Sequence, residues 1–278
     1  MSAALSISTP SLTKFNATPL RISTMTVTAN WGTQINLDML FEQLKDYFIP
    51  IWYPDDGILK FEHKKAIMGA SYKDIFTNCK VTSKSFFNQS TIVLRRRVEN
   101  GWKEVNMKLF ANGGIQMTGV VSETFAVDCV HWLLNIIRQL PESPFKEPPC
   151  IQKVTVPLIN TDYSIDHEIQ QDALHRILVE EYNLFSMLEK TIYQGINTKF
   201  FYNTNNNSAG ICMCEKSCKG QGNGNGEAEC KRITMSIFRT GKIIITGARK
   251  MEQIETAYNF LNNILKKHYS RVLTKSKA

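Results

Sequence analysis

The chain has no run of 18 apolar residues among its 278, so no helix of it is expected to cross a bilayer. It also shows no apolar core of a secretory signal, and its seven cysteines are therefore expected to stay reduced inside a cell. Seven is an odd number, which excludes a complete disulfide framework. Acidic residues are missing until Asp38, and the first 19 residues are rich in Ser and Thr. Weak organellar transit peptides share that composition, but a disordered tail before the first strand is the plainer expectation. Histidine is scarce, with five residues. His63, His175 and His268 have no partner recognisable from spacing, and His131 beside Trp132 reads as a core position on a helix. There is no phosphate-binding glycine loop, no H-E-x-x-H and no nucleophile elbow. Asp162, Asp166, His167 and Glu168 are close in sequence, but Asp166 more simply caps a following helix. The expectation is a non-enzymatic protein.

What is present is basic. The formal charge of +8 and pI near 9.1 favour an acidic partner, nucleic acid first. The 43% apolar and 21% charged content is that of an ordinary globular protein with ample core.

Two stretches are copies. Residues 108–120 read KLFANGGIQMTGV and residues 236–248 read SIFRTGKIIITGA. Phe110 and Phe238, Gly113 and Gly241, Ile115 and Ile243, Thr118 and Thr246, and Gly119 and Gly247 keep a constant offset of 128 positions. Such an F-x-x-G-x-I-x-x-T-G pair marks an internal duplication. An apolar helical pattern follows each copy, with Trp132 matching Phe260 and Ile136 matching Ile264.

Elsewhere the pattern predicts a strand over 20–29, a helix over 35–48, a strand from about Ser90 to Arg97 and a strand over 151–159. It also predicts a long helical stretch from about Ile165 to Lys190 and a strand over 196–203. Four prolines in residues 141–149 predict a linker. The domains read as a tail over 1–19, a first repeat over 20–140, a linker over 141–150, a second repeat over 151–270 and a basic tail over 271–278. A Cys-rich insertion over 204–230 interrupts the second repeat, and residues 50–90 have no clear reading. Each half is strand, helix, strand, hairpin, helix. A sheet with helices on one side leaves its other face to solvent or a ligand.

This organisation resembles the TATA-box-binding protein family, in its divergence most like the homologues of large DNA viruses. The resemblance covers about residues 20–270 and is strongest over 107–138 and 233–268. It implies an α+β saddle, two pseudo-symmetric repeats forming one curved antiparallel sheet with helices on the convex face. It also implies a general initiation factor that binds and bends promoter DNA in the minor groove and recruits the transcription machinery, acting as a monomer away from membranes. A nucleus and a cytoplasmic viral factory fit equally well. Strand parity places Met107, Leu109, Ile115 and Met117 toward the helices, with Met235, Ile237, Ile243 and Ile245 doing the same in the second copy. Lys108, Phe110, Gln116, Thr118, Ser236, Phe238, Ile244 and Thr246 then face the groove, with Ile22, Thr24, Thr26, Lys153 and Thr155 from the opening strands.

By resemblance, Phe110 and Phe238 are wedges that open base steps, Tyr193 and one of Phe86 or Phe87 are the second wedges, and Lys199 is a phosphate contact. Arg95, Arg96 and Arg97 either bring charge to the DNA backbone or form a solvated face. The chain departs from the family at its opening-strand asparagines, where Ile22 and Lys153 stand, and in its apolar floor, where Thr24, Thr155, Gln116, Lys108 and Ser236 stand. Those departures leave TATA preference open and keep an alternative alive, an assembly platform for transcription proteins without specific DNA binding. Cys212, Cys214, Cys218 and Cys230 are spaced C-x-C-x3-C-x11-C, which suits either a closed structural zinc site or a flexible loop with free thiols.

Overall fold

The structure is a computed structural model that describes residues 15–77, 88–99, 101–206 and 209–274. The chain divides into two compact units, Ile22–Asn160 and Thr161–Ala278 with Met1–Arg21. The architecture is α+β, with antiparallel strands and helices.

The first unit contains β1 (Arg21–Asn30), α1 (Leu37–Gln43), β2 (Gly57–His63), β3 (Ala66–Gly69) and α2 (Tyr72–Thr77). It continues with β4 (Gln89–Val98), β5 (Gly101–Phe110), β6 (Gly114–Val120), α3 (Glu123–Ile137) and the start of β7 (Gln152–Ser164). Its strands run in the order β3-β2-β4-β5-β6-β1-β7. The β5–β6 hairpin forms because alternate residues are apolar. Met107, Leu109 and Met117 are 0% exposed, while Lys108, Gln116 and Thr118 emerge on the other face. Gly113 makes the turn at φ +84°, and a Cβ there would sit 2.0 Å from the Thr33 carbonyl oxygen. The α3 helix begins at Ser122, whose Oγ accepts from Phe125 N at 3.0 Å, and it buries Ala126, Cys129, Val130, Leu133, Leu134 and Ile137.

The second unit contains the end of β7, β8 (Glu168–Ile169), α4 (Gln171–Arg176), β9 (Ser186–Met187), β10 (Gly195–Tyr202) and β11 (Lys231–Phe238). It closes with β12 (Lys242–Ala248), α5 (Met251–Lys267), α6 (Tyr269–Val272) and β13 (Leu273–Thr274). Its sheet order is β7-β12-β11-β10-β9, and β8 pairs with β13 separately. Ile237, Ile243 and Ile245 are 0% exposed and join Ile254, Leu261 and Leu265 of α5 in one core.

Four expectations need correction. The helix expected over 165–190 is confined to α4 and a continuing π-turn over Ile177–Glu181, because Ile169 pairs with Leu273 and Asn183 takes a left-handed φ of +53°. Asp166 caps no helix; it accepts from Asn16 N at 2.9 Å and Asn16 Nδ2 at 3.0 Å. The tail expected over 1–19 is packed from residue 15 onward, with Phe15 only 7% exposed in the second core. The 141–150 segment lies wholly inside the first unit, where Phe145 meets Trp31 edge-on at 5.0 Å and Pro144 O accepts from Asn36 N at 2.8 Å.

Of the unread segment 50–90, the described residues 50–77 cover one end of the first sheet. Parity puts Lys60, Val93 and Arg95 on the face away from α3, yet they are 8%, 6% and 3% exposed. The α2 helix is pinned at this end by Lys60 Nζ donating to Asp74 Oδ1 at 2.8 Å, and loop carbonyls cover Arg95. Burial alone would raise the Asp74 pKa, but the hydrogen bonds from Lys60 and Ser71 hold it below the ordinary carboxylate value. A depressed folded pKa stabilises the fold above the unfolded value of about 3.9, and that contribution is lost as pH falls through the lower folded pKa. Asp74→Asn is accordingly expected to cost about 2 kcal/mol at neutral pH and progressively less below about pH 4, read as urea midpoints across a pH series.

Candidate nucleic-acid interface and cysteine cluster

Hairpin parity leaves each unit with one face not covered by its long helix. In the first unit the register aligns two rows on that face. One runs Thr91, Lys108, Gln116, Thr28, and the other runs Val93, Asn106, Thr118, Thr26. Thr28 Oγ1 lies 2.7 Å from Thr155 Oγ1, so Thr155 extends the first row. Thr24 lies beside them with its Oγ1 accepting from Gly119 N at 3.1 Å, in the bulge that shifts the β1–β6 register. Lys153 is exposed and takes a left-handed φ of +51°. Ile22 is half-buried at the first residue of the unit.

Phe110 ends β5 half-buried. It borders a cavity of about 700 Å³ shared with Met39, Asn88, Pro144 and Phe145. Phe86 and Phe87 lie outside the described residues.

In the second unit the equivalent rows are Lys199, Thr234, Thr246 and Asn197, Ser236, Ile244. Ser236 is nearly covered at 8% exposure, whereas Ile244 and Thr246 are half-buried. Lys199 Nζ donates to Thr234 Oγ1 at 2.9 Å, and its pKa is lowered by burial and by the nearby Arg232 charge. Phe238 and Tyr193 meet ring to ring at 5.6 Å with planes 62° apart. Gly195 makes room for both, since a Cβ there would lie 2.9 Å from the Tyr193 ring and 3.1 Å from the Phe238 ring. Ile192, beside this pair in sequence, is 86% exposed. An exposed aliphatic and two half-exposed aromatics at one loop end form the kind of apolar tip that usually meets a partner.

The arginine run divides three ways. Arg95 is a correction, because its guanidinium is buried on loop carbonyls, with Nε donating to Asp55 O at 3.0 Å and Nη1 and Nη2 reaching Ile51 O and Tyr53 O. It presents no charge to a ligand. Arg96 points to the helix side, paired with Asp56 at 2.6 Å and 4.8 Å from the Trp132 ring. Arg97 is exposed and lies over Trp102 at 4.8 Å.

The histidines that seemed partnerless are bonded. His63 Nδ1 is 2.6 Å from Ser90 Oγ and its Nε2 is 2.9 Å from Asp38 Oδ1. The order imitates a hydrolytic triad, but Ser90 is 1% exposed and buried in the β4 strand, so no substrate reaches it. His175 meets Ser186 at 3.1 Å, and His268 meets Tyr182 at 3.3 Å.

The four insertion cysteines converge, with all four Sγ atoms within 4.8 Å of one another. Cys230 Sγ is 3.4 Å from Cys214 Sγ and 3.7 Å from Cys212 Sγ. A tetrahedral zinc with sulfur at about 2.3 Å has sulfur–sulfur edges of about 3.8 Å, so the donor set fits. The insertion is tied to its unit. Asn203 Nδ2 donates to Gly226 O at 2.7 Å and to Cys230 Sγ at 3.4 Å, Arg232 N to Gly220 O at 2.8 Å, and Gln253 Nε2 to Asn223 O at 2.9 Å. Asn106, which the sequence reading passed over, was reachable by stepping the strand alternation back two residues from Lys108.

Residues 227–268, which are β11, β12 and α5 with their approach, match the family described as transcription factor TFIID, or TATA-binding protein. That is a family of transcription factors and not of enzymes. The chain is 25% identical over 270 residues to a "TATA-box-binding protein-like" protein of Acanthamoeba polyphaga mimivirus, covering 91% of this chain and 66% of that one. The chain thus spans just under two thirds of that relative's length. Among solved structures it is similar to the Methanococcus jannaschii TBP, with a TM-score of 0.45 and 14% identity over 89% of this chain and 98% of that one. The sequence likeness to the TATA-box-binding protein family is carried most densely by the second hairpin and its helix.

The buried guanidinium gives a direct expectation. Arg95→Ala strands several loop carbonyls and should cost about 3 kcal/mol, against no more than about 1 kcal/mol for Arg97→Ala, measured by thermal or urea unfolding. Nucleic-acid affinity at fixed salt should change for Arg95→Ala only insofar as the protein unfolds.

Proposed function

We propose that the chain is a TATA-box-binding-protein-like transcription factor whose two open sheet faces contact duplex DNA in the minor groove. The observation that carries this reading is the repeated placement of one half-exposed phenylalanine, Phe110 and Phe238, at the end of a strand just before each glycine turn. Flat apolar rings at such sites suit insertion between base steps, and bending then follows from unstacking. Threonines and lysines beside them supply donors to groove acceptors and charge to phosphates. Recruitment of initiation factors would fall to surfaces other than these faces.

A second reading has its own support. The 50–56 loop and α2 cover one end of the first unit's open face, which shortens the surface left for DNA. An assembly platform for transcription proteins would tolerate that cover. The separating experiment is anisotropy with TATA-containing and scrambled duplexes under a salt titration. A Phe110→Ala/Phe238→Ala variant is expected to lose at least tenfold in affinity with an unchanged salt slope. Equal, steeply salt-dependent binding by the wild type and the variant reduces the contact to phosphate attraction, and no binding at moderate salt favours the platform.

We further propose that Cys212, Cys214, Cys218 and Cys230 hold a structural zinc ion. Four thiolates close the coordination shell and leave no position for a reacting water. Purified protein is expected to carry one zinc per chain by elemental analysis. Cys218→Ser is expected to lose it and to open the 204–230 segment to protease. Metal-free protein with the same protease resistance would overturn the assignment.

A further inference from the structure

We propose that the first unit's open face selects grooves containing guanine, accepting the 2-amino group of that base on the amide oxygens of Asn106 and Gln116. This deepens the minor-groove reading above and depends on it. The β5–β6 register pairs Asn106 with Thr118 and Lys108 with Gln116, which makes a two-by-two polar square. Met107 and Met117 between them are 0% exposed on the opposite face, so all four side chains of the square emerge on the open side. Among the described residues, the amides of Asn106 and Gln116 and the ammonium of Lys108 have no hydrogen-bond or ion-pair partner within the protein. Polar groups on a sheet face that are left unspent by the fold are available to a ligand.

The square lines a groove of about 460 Å³ that Ser71 and Lys73 of the α2 segment wall on one side. Glu104 stands in the same groove with Oε1 accepting from Tyr72 N at 2.9 Å. Lys73 and Lys108 line the same groove, so its charge does not turn phosphate away, and any preference for base edges rests on the two amides.

The chemistry then selects the base. In the minor groove A·T and T·A show only acceptors, and G·C adds one donor, the guanine 2-amino group. An apolar floor leaves that donor unpaired and disfavours it. A carboxamide offers an acceptor and a donor together, which matches guanine N2 and N3 side by side. Lys108 supplies a further donor to a neighbouring N3 or O2. The duplication shows that this chemistry belongs to one unit. The positions equivalent to Asn106, Lys108, Gln116 and Thr118 are Thr234, Ser236, Ile244 and Thr246, with no amide among them. Asn197 of β10 pairs with Ser236 and is the single amide in the second unit's two rows, so no pair of amides forms there.

The test removes one functional group from the DNA and then the two amides from the protein. Short duplexes of mixed sequence are prepared with guanine or with inosine, which pairs with cytosine but lacks the 2-amino group. Kd is measured for the full chain by anisotropy at fixed salt. The expected result is binding weakened about tenfold by inosine, with the difference abolished in Asn106→Leu/Gln116→Leu and retained in Phe110→Ala. Equal or tighter binding of the inosine duplex by the wild type overturns this inference while leaving the minor-groove reading intact if the phenylalanine variants still weaken binding. Failure to bind either duplex overturns both.

Discussion

One-sided burial is the constraint from which the rest of this protein follows. In each hairpin every second residue is apolar and goes beneath a helix, as Met107 and Met117 do in one unit and Ile237 and Ile245 in the other. The pleat then forces the intervening residues onto a face that the long helix does not cover. Phe110, Gln116, Phe238 and Ile244 are therefore presented by the same packing that stabilises the sheet. The turn glycines hold the register. At Gly241 a Cβ would come within 2.4 Å of the His167 carbonyl oxygen, so a side chain there would push the hairpin off its neighbour.

The two copies have used their open faces differently. The first unit covers one end of its face with α2, held by the Lys60–Asp74 pair, and leaves a polar square exposed in what remains. The second unit keeps an aromatic pair at its loop end and adds a cysteine cluster fastened to the start of β11 and to α5. Folding energetics explains why such additions survive. Each is anchored by charge-assisted or backbone hydrogen bonds at its base.

Much of the site was legible in advance because its signals are local. The alternation of Lys108, Phe110, Gln116 and Thr118, the positive-φ turn glycines and the four-cysteine spacing each depend on residues close in sequence, and the structure has them where local rules put them. What stayed hidden depends on distant partners. Arg95 looked like part of a surface charge run, but carbonyls some forty positions earlier bury it. His63 seemed solitary until the fold brought Asp38 and Ser90 to its two ring nitrogens. The apolar spacing over 165–190 read as one helix, because periodicity cannot show that Ile169 would find a strand partner in Leu273.

The amino-acid sequence by itself determined the duplication, the two hairpins, the face on which each of their side chains stands and the grouping of the cysteines. These are consequences of a two-residue strand period and of chain proximity, which no tertiary contact can reverse without burying polar groups. The tertiary structure alone decided which outward residues remain open, which cations are spent inside the protein and which aromatic rings meet, as Tyr193 and Phe238 do. Those outcomes turn on segments far apart in the chain competing for the same surface, and burial energies that large override the preferences of any single stretch.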